Sequence, residues 1–330
     1  MGRAATDGAE LAPRLAEVLT AAHGHPVRVE RLHRLTGGAS RTTWSFDAVG
    51  DAGREALILR TGAADDVHAS MELEAAVQRR AAAAGAPVPR IVTADDSPAA
   101  LGEPYLVCGA VAGETIVRRI QRRLDDAGRA RLLRQCAAAL AAIHRADPAG
   151  LPLPHTDPFT EWRRRWDEMG ETNATFEWAF RRLAAERPDP SPPVLVHGDF
   201  RMGNLIVDDD GLAAVLDWEL VHRGERYEDL AWFCIRAWRF GAPERLGAGG
   251  LGGVEAFLSA YEQAAGVPVD RAAFRWWLTV ATLQWGVICR YQAERHLSGQ
   301  TRSVELAAIG RRVCETEWDV LDLLTGGGPR

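Results

Sequence analysis

The sequence predicts an α+β fold of two unequal lobes, the first built on a five-stranded antiparallel sheet and the second mainly helical. Three observations carry that reading. Short apolar runs separated by glycine turns crowd the first third of the chain, long segments with helical spacing fill the rest, and one hairpin pattern interrupts the helices near residue 205. At 330 residues, 47% hydrophobic and 25% charged, the chain has globular composition and enough length for more than one packed unit. The change of pattern sets the expected boundary, with 1–108 as the N-lobe and 109–330 as the C-lobe.

Leu11, Leu15, Val18 and Leu19 recur at helical intervals, and His23-Gly24-His25-Pro26 stops them, so a leading helix is expected over Leu11 to Ala22. Val27 to Leu35, Thr42 to Ala48 and Ala56 to Arg60 read as three strands of a meander, with glycine turns at 36–40 and 49–53. Ala69 to Ala84, rich in Ala, Glu and Arg and closed by Gly85, reads as a helix. Arg90 to Ala94 and Tyr105 to Val111 complete the five strands. Helices are then expected over Asp125 to His144, Phe159 to Glu186, Gly253 to Ala265, Arg271 to Arg295 and Ser303 to Leu324. Between them, Val194-Leu195-Val196 leads through a polar loop into Leu205-Ile206-Val207, an Asp208-Asp209-Asp210-Gly211 turn and Ala213 to Leu216, a small hairpin.

Composition removes several classes of function. The most apolar stretch, Trp276 to Cys289, is too short and too polar for a membrane span and reads as a buried helix. Met1 to Thr20 lack the basic start and apolar stretch of a signal peptide, so a cytoplasmic protein is expected. Cys108, Cys136, Cys234, Cys289 and Cys314 are widely spaced, which fits reduced core residues. Net charge is −6, with 19 Arg against 18 acids in residues 1–154 and 20 against 27 thereafter, and nothing points to nucleic acid. The chain contains no lysine, so any phosphate anchor must be an arginine.

The hairpin carries the strongest chemical signal. His197-Gly198-Asp199-Phe200-Arg201-Met202-Gly203-Asn204 precedes it and Asp217-Trp218-Glu219 follows it. Folding the hairpin brings Asp217 back beside Asn204, so that two carboxylates and an amide oxygen converge, the hard-oxygen set that Mg²⁺ takes. Here the chain resembles the aminoglycoside phosphotransferase and kinase-like family, and within it the bacterial phosphotransferases related to the kinase domain of acyl-CoA dehydrogenase fusion proteins. The likeness extends through Leu35 to Trp44, Leu59-Arg60, Glu74 and Pro87-Val88-Pro89, covering about residues 30 to 325.

The resemblance implies a bilobal protein-kinase-like fold and Mg²⁺-dependent transfer of the γ-phosphate of ATP, or of GTP, to a hydroxyl of a small molecule. It makes Asp199 the base, Asn204 and Asp217 the metal ligands, and Arg201 a second catalytic group near the γ-phosphate. Gly37, Gly38 and Ser40 would approach the phosphates. Arg60 would contact the α- and β-phosphates from the position kinases give to lysine, with Glu74 pairing it, and the backbone at Val107 and Cys108 would read the adenine edge. Asp229 would brace the catalytic loop.

Two readings of the acceptor stay open. Ten of the eleven tryptophans follow residue 160, among them Trp232, Trp238, Trp276, Trp277, Trp285 and Trp318, and some of these in the pocket wall would suit a partly apolar alcohol. The acidic excess of the second half would suit an aminosugar, as in antibiotic kinases. A kinase-fold nucleotide-binding protein with little turnover is the remaining alternative. Gly247 to Gly252 matches a dinucleotide fingerprint but follows no strand, so it is read as a flexible loop able to act as a lid.

Overall fold

The computed structural model describes residues 8–35, 41–51, 53–62, 68–155 and 157–326. Helix α1 (Gly8–His23) buries Leu11, Leu15 and Leu19 along one stripe. Strands β1 (Arg28–Arg34), β2 (Thr42–Gly50) and β3 (Gly53–Thr61) follow, then helix α2 (Met71–Ala83) and strands β4 (Ile91–Asp95) and β5 (Tyr105–Gly109). The five strands form one antiparallel sheet in the order β1-β2-β3-β5-β4. The two-residue period of a strand sorts its faces. Leu57 and Leu59 of β3 join Phe46, Tyr105 and Val107 against α1, whereas Ile58 joins Leu106 and Cys108 against Met71 and Ala75 of α2. Arg60 falls on the α2 face of this middle strand, paired in register with Thr43 on one side and Leu106 on the other. Its backbone is thereby fixed from both flanks.

The helical lobe begins with α3 (Val117–Arg123), α4 (Asp126–Arg145), α5 (Pro158–Glu168) and α6 (Ala174–Ala185). Strands β6 (Val194–Val196), β7 (Leu205–Asp208), β8 (Gly211–Val215) and β9 (His222–Gly224) come next. Helices α7 (Arg226–Cys234), α8 (Val254–Ala265), α9 (Arg271–Leu297), α10 (Val304–Gly310) and α11 (Val313–Thr325) complete it. Helix α9 is buried on most sides from Trp276 to Leu283, which accounts for its apolar run. Among the described residues no helix is long and apolar enough to cross a membrane.

Four sequence expectations change. Phe159 to Glu186 is two helices: Gly170 takes a left-handed conformation, and the side chain of Asn173 accepts from the Phe176 amide to cap α6. Ser303 to Leu324 also divides, because the amides of Arg311 and Arg312 turn to carbonyls three residues back and close α10. Val194 to Val196, expected only to lead into the hairpin loop, pairs with β9 in its own ribbon. Gly247 to Gly252 is no loose lid. Ala248 and Leu251 are buried, the Gly249 amide donates to the Phe233 carbonyl, and a Cβ on Gly249 would meet the Phe233 ring at 2.3 Å. The glycines let this turn wedge into the core.

Candidate active site

The catalytic-loop sequence runs from the end of β6 to the start of β7, and buried groups hold it. His197 is fully buried, with its ring 4.8 Å from that of Trp218. Its Nδ1 accepts from the Asp199 amide at 3.2 Å, so its Nε2–H donates to the Leu216 carbonyl at 3.0 Å. Gly198 has φ +85°, and a Cβ there would lie 2.5 Å from the Leu220 carbonyl oxygen, so only glycine fits. From α7, the buried carboxylate of Asp229 accepts from the amides of His197 (2.8 Å) and Gly198 (2.9 Å) and from His144 Nε2 (3.1 Å). Burial pushes this carboxyl up, but the hydrogen bonds it accepts from His144 and from the His197 amide outweigh burial and hold it below its ordinary range.

These supports present Asp199 with its carboxylate mostly buried and three side chains donating to it. Arg201 Nε lies 3.0 Å from both oxygens, Asn204 Nδ2 lies 2.7 Å from Oδ2, and Trp232 Nε1 lies 2.8 Å from Oδ1. Asn204 Nδ2 also donates to the Asp199 carbonyl at 3.0 Å, which commits the NH₂ end of that amide and leaves Oδ1 as its remaining donor atom toward a cation. The guanidinium of Arg201 lies 4.8 Å from the centre of the Trp238 ring, so it is braced and not a loose surface group.

Asp217 follows β8 in a left-handed conformation, φ +66°, which is costly for a residue with a Cβ. The Leu216 amide, donating 2.8 Å to the Asn204 carbonyl, fixes that corner against the catalytic loop. Across the cleft, Arg60 Nη1 lies 2.7 Å from Glu74 Oε2, and Arg60 Nη2 lies 3.3 Å from Asp217 Oδ1. Burial works against the charged guanidinium, but Glu74, Asp217 and Glu219 overcome it and hold Arg60 above its ordinary value. The sheet lobe and the hairpin thus meet at charged groups. The Ala69 amide adds a backbone link, donating 2.7 Å to the Glu219 carbonyl.

The structure brings Asp199, Arg201, Asn204, Asp217, Arg60 and Glu74 together. Gly37, Gly38 and Ser40 lie outside the described residues. Val107 and Cys108 need correction. Both sit inside β5, in register with β3 on one side and β4 on the other, where the ladder takes up backbone groups. Past the strand, residues 110–116 lead to α3, and the Glu114 amide donates to the Val207 carbonyl at 2.8 Å. Arg41 is buried, bonding the Ala69 carbonyl at 2.9 Å and lying 3.7 Å from Glu74. Sequence reasoning missed the bond from Trp232 to Asp199, since eleven tryptophans offer no spacing that singles one out.

Beside the catalytic loop lies a cavity of about 960 Å³ whose wall includes Gly198, Glu219, Leu220, Trp232, Trp162 of α5 and Trp277 of α9. Among the described residues no three His, Cys, Asp or Glu side chains converge as a metal cluster. The donor set beside Asp199 therefore offers one carboxylate and one amide oxygen. That suits a hard cation that completes its shell with phosphate and water, as Mg²⁺ does.

A sheet lobe over a helical lobe, with this loop and hairpin between them, defines the kinase-like α+β class. The chain belongs to the phosphotransferase enzyme family, whose model matches residues 31–277. It is 26% identical over 284 residues to mouse acyl-CoA dehydrogenase family member 10, covering 76% of this chain and 25% of that one. Across the acyl-CoA dehydrogenase relatives it matches, it spans between a fifth and a quarter of their length. Among solved structures, a Ralstonia eutropha protein assigned to the aminoglycoside phosphotransferases superposes with TM-score 0.76 at 19% identity, over 93% of this chain and 97% of that one. A thermostable mutant of aminoglycoside phosphotransferase APH(4)-Ia, in ternary complex with ADP and hygromycin B, gives 0.62 at 18%, over 95% and 99%. At these identities the superpositions establish the fold alone.

Proposed function

We propose that this chain transfers the γ-phosphate of ATP to a hydroxyl of a small, partly apolar alcohol. The convergence of Asp199, Asn204 and Asp217 opposite the Arg60–Glu74 pair supports this reading most strongly. Asp199 accepts the proton of the acceptor hydroxyl and aims its oxygen at the γ-phosphorus, so that the O–P bond forms as the bond to the ADP oxygen breaks. Arg60, kept in place by Glu74, holds the α- and β-phosphates. Arg201, locked between Asp199 and Trp238, supplies positive charge beside the transferred group. Asn204 Oδ1 and the Asp217 carboxylate would hold Mg²⁺, which when bound neutralises charge on the phosphate oxygens. The backbone of 110–113, rather than that of Val107 and Cys108, reads the base.

The cavity supports an apolar alcohol over an aminosugar. Its three carboxylates already have basic neighbours within the chain: Glu161 bonds Arg164 and Arg165, Glu228 bonds His222, and Glu219 lies 3.6 Å from His68 and 3.9 Å from Arg41. A polycation would have to compete for all three, whereas Trp162, Trp232 and Trp277 offer apolar surface directly.

The deciding experiment replaces Asp199 by Asn. Transfer to alcohol acceptors should fall by roughly 10²-fold or more while calorimetric binding of Mg-ATP persists. Transfer retained by the variant would remove Asp199 from the reaction. Running ATP and GTP side by side settles the nucleotide.

A further inference from the structure

Trp232 stands apart from the other tryptophans because it touches two things at once. Its indole Nε1–H donates to Asp199 Oδ1 at 2.8 Å, and its ring forms part of the wall of the cavity beside the catalytic loop. It sits in α7 three residues after Asp229, the carboxylate that ties down the amides of His197 and Gly198. One short helix therefore holds the catalytic loop by its backbone and its key side chain by a separate bond.

The ring has little freedom. It is 6% exposed and meets Trp238 edge-on at 5.4 Å and Trp285 at 6.3 Å. Trp238 in turn carries the guanidinium of Arg201, whose Nε bonds both oxygens of Asp199. Two of the three side chains that donate to the carboxylate are thus seated on one aromatic cluster, and Asn204 supplies the third from the loop itself. A carboxylate oxygen has about two good acceptor directions. The single Arg201 Nε–H is shared between the two oxygens, Trp232 takes Oδ1 and Asn204 takes Oδ2, so three N–H groups use about three of the carboxylate's four directions and set the one left for an acceptor hydroxyl.

We infer that Trp232 is a positioning residue of the transfer reaction: its indole N–H orients Asp199 while its ring aligns whatever fills the acceptor cavity. The inference rests on the phosphotransferase reading, with Asp199 as base. Because the cluster holds the ring, an acceptor seated against it is aligned on Asp199, so acceptors of different shape should differ in kcat as well as in KM. A tryptophan serving only as cavity wall would change KM alone.

The test uses the full chain, ¹⁵N-labelled at the tryptophan indoles, with water as the phosphoryl acceptor in slow Mg-ATP turnover. The Trp232 indole resonance is the one missing from Trp232→Phe. It should move in Asp199→Asn. A resonance indifferent to Asp199→Asn overturns the inference even if a variant folds poorly, because that comparison needs only one variant and the parent. In turnover, Trp232→Phe keeps the ring and loses the donor. It should lower kcat about tenfold, the loss expected for one hydrogen bond to a charged group, and leave KM for Mg-ATP unchanged. A lowered kcat accompanied by a matching rise in KM for Mg-ATP would make Trp232 merely structural. Turnover unchanged in Asp199→Asn would instead bring down the phosphotransferase reading itself, which separates the two failures.

Discussion

Arg60 shows what a single residue decides at the seam between lobes. Its guanidinium reaches Glu74 with one nitrogen and Asp217 with another, a two-armed contact that a lysine ammonium on a longer, looser stem does not reproduce. Arg60→Ala should weaken Mg-ATP binding and lower kcat together, since the phosphates lose their line on the acceptor, while Arg60→Lys should restore only part of each. Isothermal titration and steady-state turnover on the same preparations check both. Binding and turnover equal to the parent in Arg60→Ala would reduce Arg60 to an ion-pair partner. Asp217→Ala carries the complementary expectation: activity is abolished and the Mg²⁺ dependence of nucleotide affinity disappears, as read by titration with and without the metal. At this scale the sequence was highly legible where residues are rare and closely spaced. Asn204 is one of two asparagines in the chain, and it lies five residues from Asp199. It was opaque where the partner lies far along the chain, as for Trp232, 33 positions from the carboxylate it touches.

Among the elements, α7 has the most to hold, because Asp229 bonds three donors in the core. Asp229→Asn turns one of its acceptor positions into a donor facing other donors, a cost of about 1–3 kcal/mol. Since the carboxyl lies below its ordinary range in the folded chain, the unfolded chain binds its proton first as pH falls. The stabilisation from Asp229 is therefore complete above the unfolded value, near pH 4, and drains away as pH drops through the folded value. Urea midpoints of parent and Asp229→Asn should differ most at neutral pH and converge in acid. A gap that stays constant with pH would mean that packing, not charge, is lost. The strands and most helices of this fold were readable from spacing and glycine turns. The breaks at Gly170 and Arg311 were not, because helical periodicity continues across a short interruption, and what makes each break is one polar cap, Asn173, or a local turn of backbone amides.

For the molecule as a whole, burial sorts chemistry that composition only counts. Cys108, Cys136, Cys234 and Cys289 are buried, and burial pushes the thiol of Cys108 up to about 11 and that of Cys289 to about 12, while Cys314 is exposed. A thiol-exchange reagent at pH 8 should titrate one cysteine of the native protein and five after denaturation. Two or more fast thiols in the native state would show that the core opens. The division into a sheet lobe and a helical lobe was legible as a change of period along the chain, whereas the cavity between α5, α7 and α9 was not, since its walls come from segments more than a hundred residues apart. An arginine at the cleft proposed for the nucleotide has a practical corollary for proteome surveys. Acylating probes that tag kinases through the ε-amino group beside the bound phosphates have no lysine here to capture, so this protein would go uncounted in such a census. A dicarbonyl reagent selective for guanidines is the tag that matches its chemistry, and shielding of Arg60 by bound nucleotide would show up as protection of one peptide.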